Sequence, residues 1–320
     1  MIEQRLRRSL RRGSPHQLNE ACRYVLDGGG KRLRAALVIL ACRAVGGRTA
    51  QALDAGAAVE IMHNFTLVHD DIMDSAPSRR GRPTVHLRWD LNGALLTGDV
   101  LLGAAYEALL RTPRRDMRPL LELFTAGLIE VCRGQALDLE FERRSDVTVR
   151  EYFVMIEKKT AHLITMATEL GGTLGRGTAR QLRALKTFGH HLGRAFQLQD
   201  DLLDVVADQA ELGKSIGGDI IERKRTYLLL TALQRTRGQD RRTLTRLLRL
   251  PPGDRALRAG RRETIAEVRS IFRRHGVLAD AERLVRRDTA RALEALEELP
   301  PGEGRTMLRW LAERLGSRAS

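Results

Sequence analysis

The chain has 320 residues, 42% apolar, 30% charged and only 4% aromatic, with a formal net charge of +15. That length can bury a sizeable core in one large domain or two small ones. The charge points to an anionic partner (nucleic acid, a membrane surface or a phosphorylated small molecule), and the lack of any run of about 18 apolar residues argues against a membrane span.

The elements read as helices throughout. Residues 17–27 form a first helix, ended by Gly28-Gly29-Gly30, and 31–45 a second, ended by Gly46-Gly47. A long helical pattern covers 50–75 and stops at Pro77. Helices are expected over 92–111, 116–142, 148–170 (ended by Gly171-Gly172) and 179–207. A Gly/Lys-rich loop at 211–219 leads into a helix over 220–236, and 239–320 carries basic amphipathic helices broken near Pro251-Pro252 and Pro300-Pro301. No period-2 strand pattern and no 20–50-residue repeat is present, so one all-α domain over 1–320 is the economical expectation. The basic N-terminus MIEQRLRRSLRRG lacks the apolar stretch of a signal peptide. Cys22, Cys42 and Cys132 show no paired spacing, which fits buried thiols in a reducing, cytoplasmic setting.

Asp70, Asp71 and Asp74 crowd the end of the 50–75 helix. Asp70 and Asp74 stack one turn apart on one face, with Asp71 bordering it. Mutual repulsion and the negative end of the helix dipole disfavour this by a few tenths to about 1 kcal/mol per effect. A hard divalent cation such as Mg²⁺ resolves the conflict; a merely exposed acidic helix end is the plain alternative. The same spacing recurs as Asp200, Asp201 and Asp204 in FQLQDDLLD. Two such clusters imply metals shared with a ligand that supplies phosphate oxygens, hence a diphosphate.

Only six of the 55 basic residues are lysine. Lys31 follows the triple glycine, Lys159 precedes Thr160, and Lys214 and Lys224 flank a glycine-rich segment. Compact point charges at such places suit phosphate, although ordinary surface lysines remain the alternative. Arg79 and Arg80 lie within reach of the first cluster. His63 stands two turns before Asp70 on the same face, where a lone histidine is more often a core residue.

With these residues in view, the chain resembles the trans-isoprenyl diphosphate synthases, the polyprenyl synthetase family. The resemblance rests on GGGKRLR, HNFTLVHDDIMDSAPSRRGRPTVH, GQALDLEF, EKKTAHL, FQLQDDLLD and GKSIGGDIIERKRTY, in the family's order over about 20–236. It implies an isoprenoid synthase-type helical bundle around a central apolar cavity, usually homodimeric, with no nucleic acid as partner. It implies Mg²⁺, three ions with substrate bound, held by Asp70, Asp74 and Asp200, with Asp71, Asp201 and Asp204 in support. Arg79, Lys159 and Lys214 would hold an allylic diphosphate. Lys31, Arg34, His63 and Arg80 would hold the diphosphate of isopentenyl diphosphate, and Gln135, Asp138, Thr160, Gln197 and Lys224 would line the allylic side. The family usually has proline where this chain has Ala35.

The implied reaction is a head-to-tail condensation of isopentenyl diphosphate with an allylic diphosphate. A bulky aromatic at Phe65, beside Thr66, implies a short product, geranylgeranyl diphosphate first and farnesyl diphosphate next; core packing is the alternative for Phe65. A longer-chain synthase or a non-catalytic partner subunit is the competing reading. A terpene cyclase lacks the Lys31/Arg34/His63 set, and a nucleic-acid binder leaves both acidic clusters unexplained.

Overall fold

The structure is a computed structural model and describes residues 1–10, 15–206, 217–250 and 260–316. Its elements are α1 (Ile2–Ser9), α2 (His16–Leu26), α3 (Leu33–Ala44), α4 (Thr49–Met73), a hairpin of β1 (Ser78–Arg79) and β2 (Arg82–Pro83), α5 (Val85–Arg88), α6 (Leu91–Leu110), α7 (Arg118–Arg143) and α8 (Val149–Ile156). A π-helical segment, Glu157–Ala161, joins α8 to α9 (His162–Leu174). Then come α10 (Ala179–Val206), α11 (Gly218–Glu222), α12 (Tyr227–Arg235), α13 (Gly238–Arg249), α14 (Arg261–Arg274), α15 (Val277–Leu296) and α16 (Glu303–Gly316). The fold is all-α, as expected. The two-residue strands, Ser78 opposite Pro83 and Arg79 opposite Arg82, are too short to leave a periodic signal.

The chain divides into two compact units. One comprises Met1–Ile129, Leu163–Gly189 and Glu294–Trp310; the other comprises Glu130–His162, His190–Leu293 and Leu311–Ser320. In the first, α4 is buried around its whole circumference from Ala52 to Met62, and Ala52, Ala55, Ala57, Ala58, Val59, Ile61 and Met62 are completely buried. A helix of that kind belongs at the centre of a core, and α6 and α3 are its principal neighbours. Each large apolar side chain so buried contributes about 1.5–3 kcal/mol. The second unit packs Tyr152, Leu198, Leu202, Tyr227, Leu228, Phe272 and Val285 into one cluster.

Four expectations change. The 148–170 helix continues to Leu174 and contains the π turn. Gly171 does not end it; a Cβ there would lie 2.2 Å from the Val38 carbonyl oxygen, so the glycine lets α9 approach α3 closely. The 220–236 helix is two helices, because Arg223 adopts a left-handed φ of 58° and stops α11. Cys132 is exposed, whereas Cys22 and Cys42 are buried. Finally, α6 has the length and apolar composition to cross a membrane, with mean hydropathy 1.3, because its few polar residues are spread along it; in the structure it lies against α4. The Pro251-Pro252 break and most of the 211–219 loop lie outside the described residues.

Candidate active site

The first acidic cluster sits where α4 ends. Asp74 caps the helix and its backbone N–H donates to the Asp70 carbonyl at 2.8 Å. Asp71 is buried, and burial raises its carboxyl pKa, while Arg79 acts in the opposite direction. Arg79 Nε donates to Asp71 Oδ1 at 2.6 Å. The hairpin brings Arg79 there: Arg80 and Gly81 at its tip both have positive φ, 52° and 74°, the combination that two-residue hairpins prefer. Left-handed backbone at Arg80 costs about 1–2 kcal/mol. It carries the Arg80 guanidinium to the Gly29 carbonyl and to within 3.1 Å of where a Cβ on Gly30 would stand.

His63 lies half-buried on α4. Burial and then the charges of Arg34, Arg80, Arg79 and Arg32 hold its pKa well below the ordinary histidine value, so the imidazole is neutral at pH 7. Burial also pushes Arg34 down to about 10, against the pull of Glu60. Four guanidiniums around a neutral imidazole give this region a positive potential. Glu60, not foreseen in the sequence, holds it together. Its buried Oε1 accepts the backbone N–H groups of Arg34 at 3.0 Å and Ala35 at 3.1 Å, and so satisfies the first turn of α3. The second of these bonds needs an N–H, which a proline at 35 would lack. Lys31 is exposed in the loop leading to α3. Beside the cluster, a pocket of about 400 Å³, open mouth included, is lined by Tyr24, Gly28, Asp71, Arg79, Arg80 and Arg82. Phe65 is buried and meets His69 edge-to-face at 4.9 Å; the Thr66 hydroxyl donates to the His63 carbonyl of its own helix at 2.8 Å.

The second cluster lies near the end of α10, in the other unit. Asp200 is exposed, Asp201 buried and Asp204 in between. Asp201 Oδ2 accepts the Tyr152 hydroxyl at 2.6 Å, and Oδ1 accepts Gln197 Nε2 at 2.9 Å. Gln197 in turn accepts the Thr160 hydroxyl at 2.7 Å. Burial pushes Asp201 up to about 7, reinforced by Asp200 and Asp138 and opposed by its two hydrogen bonds. Asp204 accepts the N–H groups of Gly218 and Asp219 at 3.1 and 3.0 Å. Asp219, also unforeseen, is raised well above the usual carboxylate range by burial and by Asp204. Lys159 Nζ donates to Asp138 at 2.5 Å, and Lys224 reaches Glu222 at 3.2 Å and Asp219 at 4.0 Å. The π turn accompanies a close approach of Gly134 to the Lys159 backbone, where a Cβ would stand 2.2 Å from the nitrogen. Gln135 is buried, and neither its Nε2 nor its Oε1 has a hydrogen-bond partner among the described residues. Lys214 lies outside the described residues.

The donors fit Mg²⁺. They are carboxylate oxygens, and among the described residues no three His, Cys, Asp or Glu side chains converge on one point. Mg²⁺ takes one or two carboxylates and completes its shell with water and phosphate oxygens. Burial raises the carboxyl pKa values of Asp201, Asp204 and Asp219, and neighbouring carboxylates raise them further, a concentration of negative charge that a cation would relieve.

Comparison with known proteins decides the family. The polyprenyl synthetase family model matches residues 15–258. The chain belongs to the polyprenyl synthetase family. This polyprenyl synthetase is 40% identical over 314 residues to a short chain isoprenyl diphosphate synthase of Methanothermobacter thermautotrophicus, covering 98% of this chain and 94% of that one. It is 43% identical over 223 residues to a geranylgeranyl diphosphate synthase of Methanosarcina mazei, 69% of each chain. The crystal structure of geranylgeranyl pyrophosphate synthetase from Pyrococcus horikoshii Ot3 superposes with a TM-score of 0.91 at 35% identity, over 99% of this chain and 95% of that one. The polyprenyl synthetase is thus a prenyltransferase of the short-chain trans-prenyl diphosphate class.

Proposed function

We propose that this polyprenyl synthetase condenses isopentenyl diphosphate head-to-tail with an allylic diphosphate, releasing diphosphate and giving geranylgeranyl diphosphate, with farnesyl diphosphate the next choice. The carrying observation is the presence of two acidic clusters with cationic side chains at hand: Arg79 on Asp71 in the first, and, beside the second, Lys159 on Asp138, whose charge acts on Asp201. A cation-rich set around neutral His63 accompanies the first.

Asp70, Asp74 and Asp200 would hold Mg²⁺, three ions with substrate bound. Bound there, Mg²⁺ neutralises charge on a leaving diphosphate. Arg79, Lys159 and Lys214 bind the allylic diphosphate, and as the allylic C–O bond breaks they face the charge that grows on its oxygens. Lys31, Arg34, His63 and Arg80 fix the diphosphate of isopentenyl diphosphate, with His63 donating as a neutral N–H. Gln135, whose amide has no protein partner among the described residues, lines the allylic side with Asp138, Thr160, Gln197 and Lys224. Holding both substrates together supplies much of the rate, and the released diphosphate accepts the proton that isopentenyl loses. The growing chain would enter a central apolar cavity and stop at Phe65.

The protein acts as one prenyltransferase domain over 1–320, in the cytoplasm and as a homodimer. The dimer reading is supported by Leu91, Leu95, Leu96, Val100 and Leu110, large apolar side chains that α6 leaves exposed. Incubation with labelled isopentenyl diphosphate, Mg²⁺ and each short allylic diphosphate, followed by product chromatography, tests the reaction. A single labelled C20 diphosphate is expected. No chain extension from any primer would refute the reading and favour a non-catalytic subunit; products beyond C25 would make it a longer-chain synthase.

A further inference from the structure

Tyr152 is 1% exposed on α8, packed in the second unit's core. Its ring meets Phe153 at 5.4 Å and Tyr227 at 6.3 Å between centroids. Phenylalanine would fill that space without burying a hydroxyl, which is costly unless hydrogen-bonded. Among the described residues the hydroxyl makes one hydrogen bond, donating to Asp201 Oδ2 at 2.6 Å. With Gln197 on Oδ1, both oxygens of Asp201 are held by protein donors, from α8 and from α10 itself. The chain continues from Gln197 to Thr160 in the π segment, next to Lys159. One hydroxyl thus anchors a run of bonds that spans the second aspartate motif and the segment bearing a diphosphate-binding lysine. Asp200, the next residue back along α10, is exposed where Asp201 is buried.

We propose that Tyr152 is a positioning residue for the second aspartate motif: it locks the Asp201 carboxylate as a hydrogen-bond acceptor, so that Asp200 is the motif's metal-facing acid. This rests on the proposed diphosphate chemistry, and outer-shell partners of this kind typically alter metal affinity by 10–100-fold.

The test is Tyr152→Phe in the full chain. Mn²⁺ binding in the presence of inorganic diphosphate is read from the free-Mn²⁺ electron paramagnetic resonance signal. The variant is expected to stay folded, with Tm lowered by a few degrees because the buried Asp201 carboxylate loses a donor, and to bind Mn²⁺ about tenfold more weakly. Its kcat should fall by a similar factor, with half-saturating Mg²⁺ raised and KM for isopentenyl diphosphate unchanged, because that diphosphate is assigned to the loop before α3, to α3, to α4 and to the hairpin, none of which Tyr152 touches. Combined with Asp201→Asn, it should add nothing to the effect of Asp201→Asn alone. Unchanged Mn²⁺ affinity, or full additivity in the double variant, overturns the role of Tyr152. A wild type that binds Mn²⁺ with diphosphate yet forms no prenyl product leaves the Tyr152 comparison decisive by binding while refuting the proposed reaction. A wild type that binds no Mn²⁺ with diphosphate overturns both.

Discussion

Replacement of Glu60 by alanine removes the acceptor for two backbone N–H groups, those of Arg34 and Ala35, at 3.0 and 3.1 Å. The Ala35 amide is buried, as is Glu60 itself at 3% exposure. An unpaired buried N–H costs about 1–3 kcal/mol. Relief from burying the carboxylate offsets part of this, and the net loss should be about 2–4 kcal/mol. With an unfolding entropy of about 2.1 cal/mol/K per residue, that lowers Tm by about 3–6 °C. The α3 start carries Arg34, so KM for isopentenyl diphosphate should rise at least tenfold, since small displacements of positioning groups are expensive. Glu60→Gln keeps an oxygen acceptor and loses the charge; its Tm should stay within about 2 °C of wild type. Calorimetry and initial rates against isopentenyl diphosphate concentration measure both effects. An alanine variant that melts with wild type at unchanged KM would refute the reasoning.

Phe65→Ala should lengthen the product beyond C20, as read by chromatography; an unchanged product leaves Phe65 as core packing against His69. His63 is held below its ordinary pKa, so the unfolded chain takes up a proton that the folded chain refuses. Its contribution to stability is present above about pH 6.5 and lost as pH falls below it. His63→Gln should therefore flatten the decline of Tm between pH 7 and 5.5, and an unchanged slope counts against a neutral His63. Burial pushes the Cys22 and Cys42 thiols up to about 11, whereas Cys132 is exposed. Brief iodoacetamide treatment at pH 8 should label Cys132 alone by mass spectrometry. Leu96→Asp on the exposed face of α6 should yield a monomer in sedimentation experiments where the wild type sediments as the proposed dimer; a wild type that is itself monomeric refutes the dimer reading.

Most of this architecture is visible in the residue pattern because helix ends are marked chemically. Gly28 follows the last residue of α2, Leu26, and Pro77 the last residue of α4, Met73, within a few positions, so each marks the helix end approximately. Gly171 misleads because its missing Cβ serves close packing rather than termination. The π turn is invisible because one extra residue per turn hardly alters apolar spacing over five positions. Arg223 ends α11 by a left-handed backbone that arginine rarely adopts, so nothing in its type announces the break. The acidic clusters declare themselves by crowding like charges. Glu60 does not, although a lone carboxylate inside AAVEIMH is a signal, since a buried acid requires partners. Asp219 does not stand out beside the glycines that precede it, because its significance lies in its closeness to Asp204, a relation between two helices.

The central claim is that both carboxylate clusters serve one ionising diphosphate. The rate of inorganic diphosphate release from isopentenyl and allylic diphosphates, with Mg²⁺ present, tests it in Asp70→Asn and Asp200→Asn. Each loss should lower kcat by about 10²–10³, the equivalent of several kcal/mol of charge stabilisation, while both variants stay folded. Either variant turning over at near the wild-type rate would contradict the account.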